Sequence, residues 1–118
     1  MTENALIKKL ATQASGVTFY EVMDVVRENY IYSPVHFSNG MGDGAVQNPA
    51  GCNEGACRIF AWAKRQQLSE SQTLHCFGDY YRIDVLSNPD GGDHANIRSF
   101  MKTGWAGIHF SADPLEKR

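Results

Sequence analysis

No stretch of this sequence approaches the roughly 18 consecutive apolar residues that a membrane-spanning helix requires, so membrane insertion is not expected. Positive charge is not in excess either. Eleven Lys and Arg residues stand against 13 Asp and Glu, a net charge of −2, and such a chain offers no basic field to a phosphate backbone. Nucleic-acid binding is therefore not expected. Cysteine is scarce and odd in number, three residues in all, which argues against a disulfide framework and points to a reducing cytosol. Met1 is not followed by a charged segment and an apolar core, and the opening "MTENALIKKLATQASG" has no arginine and includes Glu3. Neither a secretory signal nor a transit peptide is expected there; the segment is read as part of the fold. No internal repeat is visible.

What remains is an ordinary soluble composition, 42% hydrophobic and 20% charged over 118 residues. That length supports a single core, so one domain over residues 1–118 is expected. Leu6, Ile7, Leu10 and Ala14 recur at helical spacing, with Gly16 as a stop. Thr18 and Glu21 form a capping-box pair in front of a second helix whose inner face is Phe19, Val22, Met23, Val26 and Tyr30. Pro34 ends that helix, and a strand over Val35 to Phe37 is expected after it.

"SNGMGDGAVQNPAGCNEG" carries too many glycines for sustained helix or sheet, so it reads as a long loop or a hairpin. Asn53 then serves as N-cap of a third helix, with Glu54 in its first turn and Ile59, Phe60 and Ala63 on its apolar face. Ser69 and Gln72 repeat the capping box for a helix bearing Leu74, Phe77, Tyr81 and Val85 on one stripe. Asp93 caps a last helix through Ile97, Phe100 and Met101, closed by Gly104. "WAGIHF" is a strand candidate, with a polar tail after it. The fold class is α+β and mainly helical, about five helices with two or three short strands forming a small sheet. The strands near Val35 and Ile108 would pair at long range.

Chemistry was sought in several places. Cys57 falls at a helix start, where amide dipoles favour the thiolate. The arrangement is that of a papain-like nucleophile, with His94 or His109 as base and Asn96 as a further partner. The competing reading is a buried small hydrophobe, the usual state of a free cysteine. Cys52, Cys57, His75 and Cys76 do not have the two compact ligand pairs of a zinc site, so no metal is expected. Gly40, Gly42 and Gly44 lack the Lys-Ser/Thr of a phosphate loop, and residues 88–99 lack the glycine and glutamate of a calcium loop. No cofactor is expected. "DHANIR" places His94 and Asn96 beside a helix start, suited to a hydrogen-bonding ligand, with Arg98 pairing a carboxylate such as Asp79. The binding candidates are Asn53, Glu54, Asp93, His94, Asn96 and Trp105.

The run "FGDYYRIDVLSNPDGGDHANIRSFMKTGWAGIHF", preceded by "NEGACRIFAWAK" and "LSESQTL", resembles the HopJ type III effector family of small bacterial proteins, from about Thr18 to Phe110. The resemblance implies a shared fold and carries over no catalytic residue. It implies a bacterial protein that is either resident in the cytoplasm or exported by a type III system. The helical pattern that begins by Asn4 leaves little room for a flexible export signal. Two functions stay open: a non-enzymatic interaction module whose protein partner is unknown, and a hydrolase or transferase using Cys57.

Overall fold

A computed structural model describes all 118 residues. The first helix, α1 (Glu3–Thr12), starts where the Thr2 hydroxyl accepts the Ala5 N–H, and it buries Leu6 and Leu10. In α2 (Phe19–Asn29) the anticipated capping box is complete. Thr18 Oγ1 accepts the Glu21 N–H and the Glu21 carboxylate accepts the Thr18 N–H, each at 3.1 Å. Val22, Val25, Val26 and Tyr30 are buried, while Phe19 and Met23 pack against the core from its edge.

The strands number five and form two sheets. β1 (Tyr30–Tyr32) pairs antiparallel with β5 (Leu115–Lys117), so the segment expected to be a polar tail is a strand. β2 (Phe37–Asn39) lies between β3 (Val46–Asn48) and β4 (Ile108–Phe110), antiparallel to both. The glycine-rich stretch is thus a hairpin followed by a turn into the third helix. The long-range pairing expected between the strands near Val35 and Ile108 is the β2–β4 ladder, with β2 two residues later than the hydrophobic pattern placed it.

The third helix, α3 (Glu54–Arg65), runs through the middle of the molecule and buries Cys57 and the whole run Ile59 to Ala63. The Phe60 ring has centroids of Phe37, Phe77, Phe100 and Trp105 within 5.0–6.4 Å. A fully buried side chain of this kind contributes roughly 1.5–3 kcal/mol in transfer free energy. Beside it, the Trp62 indole N–H donates to the Glu3 carboxylate at 2.9 Å, which also accepts from Tyr30 (2.6 Å) and Gln66 (2.9 Å) and pairs with Lys117 (3.2 Å). One side chain thereby ties α1 to β1, α3 and β5.

α4 (Glu70–His75) has the Ser69–Gln72 capping box, but it does not continue as one helix to Pro89. Gly78 turns the chain with φ +61°, and a Cβ there would sit 2.8 Å from the Phe19 nitrogen. Only glycine permits that close approach to the start of α2. The chain then resumes as a π-helical turn, Tyr80–Val85. Leu74, Phe77 and Val85 are buried as their spacing suggested, with Tyr81 half-buried. α5 (Ala95–Thr103) ends at Gly104, φ +59°. The class is α+β and mainly helical, around 23 buried hydrophobic residues. No helix is long and apolar enough to cross a membrane.

Candidate functional site: a cleft between two helix starts

α3 and α5 each begin directly after a residue in the left-handed region: Asn53 (φ 52°, ψ 46°) and His94 (φ 52°, ψ 51°). Neither makes a side-chain cap. This corrects the expectation that Asn53 and Asp93 cap these helices. A capping side chain needs an extended backbone to reach back to the N2 or N3 amide, and the left-handed turn directs the Asn53 amide to Asn48 Oδ1 instead, at 2.8 Å. Asp93 lies one residue outside the cap position. Its carboxylate accepts from Arg98 at 2.6 Å, and this hydrogen bond holds the acid below the usual range. Arg98 therefore pairs with Asp93 and not with Asp79.

Asn96, in the first turn of α5, is buried within an amide cluster. Its Nδ2 donates to Asn48 Oδ1 (2.9 Å), and its Oδ1 accepts from Asn39 and Asn48, both at 3.1 Å. Asn39 also donates to the Asn96 carbonyl at 2.8 Å, leaving Asn39 Oδ1 buried without a partner. The cluster joins β2 and β3 to the starts of α3 and α5.

The two starts face a cleft of about 370 Å³. Asn53, His94 and Asn96 line it, opposite a wall made by Phe19, Phe77 and Tyr80. The His94 ring lies 5.3 Å from the Tyr80 ring, and its Nε2 is 3.0 Å from Asp84 and 3.8 Å from Asp93. Phe19 meets Tyr80 edge-on at 5.3 Å and divides this cleft from a neighbouring one of about 320 Å³ that contains Tyr20. Tyr20 is 70% exposed. Such a place can hold a ligand or partner segment by apolar contact and a few fixed polar groups. The π-helical turn carries Tyr80 and Asp84 to the same spot.

The other candidates lie elsewhere. Glu54 accepts from the Tyr32 hydroxyl at 3.4 Å. Trp105 donates to the Leu68 carbonyl at 3.1 Å and packs on Phe60 and Phe100. Cys57 is 1% exposed; burial pushes its thiol up, and the neighbours that act on it are Tyr32, Arg58, Glu54 and the Val35 backbone, with no imidazole among them. His109 is exposed on β4, opposite Ser38. No three His, Cys, Asp or Glu side chains are grouped to hold a metal ion. Sequence reasoning missed Asn39 and Asn48, whose place in a glycine-rich stretch reads as turn chemistry. It also took Tyr80 for core.

No curated protein matches the chain. A crystal structure described as that of an unknown function protein, VPA0580, superposes with a TM-score of 0.94 at 40% identity, covering 100% of this chain and 95% of that one. Residues 3–115 match the family described as HopJ type III effector protein. The matched span includes every element from α1 to β4 and all the side chains of the cleft, so the likeness extends to the whole arrangement: the chain belongs to the HopJ family.

Proposed function

We propose that the protein is a non-enzymatic interaction module that receives a protein partner at the cleft between α3 and α5. The supporting observation is the convergence of three sparsely populated backbone conformations, at Asn53, at His94 and in the Tyr80–Val85 turn, on one aromatic-walled cleft. Left-handed non-glycine residues and π-helical turns are costly, and they gather where a protein needs a side chain held in a particular place. The partner's apolar side chain would lie against Phe19 and Tyr80, with Asn53 and His94 supplying hydrogen bonds at the mouth. Val46, from the far side of the glycine-rich hairpin, also lines the cleft, which gives that loop a part in the contact. The buried thiol of Cys57 and the absence of an imidazole beside it support a role without covalent chemistry.

His94→Gly tests this reading. Glycine is at ease at φ 52°, so relief of roughly 1 kcal/mol is expected, against a surface contact to Asp84 worth little. A denaturant midpoint that stays level or rises marks a residue kept for binding. A loss of stability above about 1 kcal/mol would make His94 a structural residue and remove the main support for the cleft as a site.

A further inference from the structure

A second pocket, of about 320 Å³, shares no lining residue with that cleft. It is formed by the last turns of α2, by β1, by the first turns of α3 and by Arg118. Met23, Val26 and the ring of Tyr30 make it apolar inside. Around it stand three guanidinium groups, of Arg27, Arg58 and Arg118, in a chain whose net charge is −2.

Their hydrogen-bonding capacity is largely unspent. Arg27 pairs with Asp24 at 2.5 Å. Arg118 uses its Nε on the Arg27 carbonyl at 3.0 Å and makes no ion pair. The Arg58 Cζ lies 4.0 Å above the Tyr32 ring, and no carboxylate or carbonyl takes up its N–H groups. Glu54, one helical turn before it, accepts from Tyr32 instead. Stacking holds a guanidinium plane in place while leaving its donor edge free, the arrangement by which arginine recognises phosphate. Tyr32 remains neutral, because burial pushes its hydroxyl far up, and so adds no negative charge to the pocket. Three guanidiniums facing one paired carboxylate suit a dianion better than a monoanion, and the apolar interior suits a ring attached to it. The volume is at the lower end of small-molecule sites.

We infer that this pocket binds a small aryl phosphate monoester, the phosphate held by Arg58 with Arg27 and Arg118 and the ring placed against Met23, Val26 and Tyr30. The site is independent of the cleft, and its failure would leave the cleft untouched.

The test is calorimetric titration of the full chain with phenyl phosphate, beside benzenesulfonate, which has the same shape and one charge fewer. Saturable binding of phenyl phosphate is expected, with benzenesulfonate several-fold weaker. Arg58→Gln should weaken phenyl phosphate about tenfold, as loss of a charge-assisted hydrogen bond implies. Arg118→Gln provides a second variant, expected to be weaker than native, and the melting curve of each variant verifies folding. No saturable binding, equal binding of the two probes, or affinities unchanged in both folded variants would overturn the assignment.

Discussion

The three thiols should differ in reactivity by orders of magnitude, and their alkylation tests the burial on which the reading of Cys57 rests. All three are free; Cys52 is exposed, whereas Cys57 and Cys76 are 1% and 0% exposed. Burial pushes the Cys76 thiol up to about 12. At pH 7.5 an ordinary thiol with a pKa of about 8.5 is roughly one-tenth thiolate, while Cys76 would be about 3 × 10⁻⁵, a deficit of some three-thousandfold before access is counted. Access adds a further factor, since a buried thiol reacts only from an opened state, and global opening is populated at 10⁻³ or well below for a stability of about 5 kcal/mol or more. Cys57 shares the burial and a raised thiol. Treatment of the native protein with iodoacetamide, read by intact mass, should therefore add one label quickly. Cys52→Ser should take none until denaturant is added, and then two. Fast labelling of Cys52→Ser without denaturant would refute the account and restore Cys57 as an exposed nucleophile.

Two further outcomes follow from contacts already described. Gly104→Ala puts a Cβ into the Glu70 carboxylate, which accepts the Trp105 N–H at 3.1 Å, and does so at φ +59°. A loss of about 1–3 kcal/mol is expected, lowering the melting temperature by at least about 4 °C, and an unchanged melting curve would contradict it. For Glu3, burial raises the acid, but the hydrogen bonds from Tyr30, Trp62 and Lys117 outweigh it, and the folded value is lowered. Its contribution is thus complete above the unfolded carboxyl value of about 4.3 and is lost as pH falls through the folded value. Glu3→Gln should be less stable than the native protein in urea at pH 7, and the gap should narrow toward pH 3; a gap that widens on acidification would show the sign to be wrong.

Much of the helical framework was legible because its signals are local. The Thr18–Glu21 and Ser69–Gln72 pairs act over three residues, and each forms as written. Leu74, Phe77 and Val85 were rightly read as core, although the helix supposed to carry them breaks at Gly78, where the constraint comes from Phe19. What was hidden depends on distant partners. Leu115–Lys117 has no strand pattern of its own and is ordered by Tyr30–Tyr32, some 85 positions earlier in the chain. The left-handed turns at Asn53 and His94 defeated the capping rule because the structure around them overrides a local preference. In the site, Asn53, His94 and Asn96 could be picked out as polar groups beside helix starts. Phe19 and Tyr80 could not be distinguished from core aromatics, since hydrophobicity does not say which side of a ring is left open.

The asparagine cluster also bears on how the hairpin finds its alignment. Asn39 and Asn48 reach Asn96 only when Phe37 stands opposite Asn48 and Asn39 opposite Val46. Sliding one strand by a single residue would turn its amide to the other face of the sheet and strand the remaining ones in the interior. Leucines at these positions could fill the same space, but they would stick in several alignments almost equally well, as apolar contacts carry little direction. The amides act as a key cut for one lock: they make every misaligned hairpin costly, and so determine where the glycine-rich loop closes and where α3 begins.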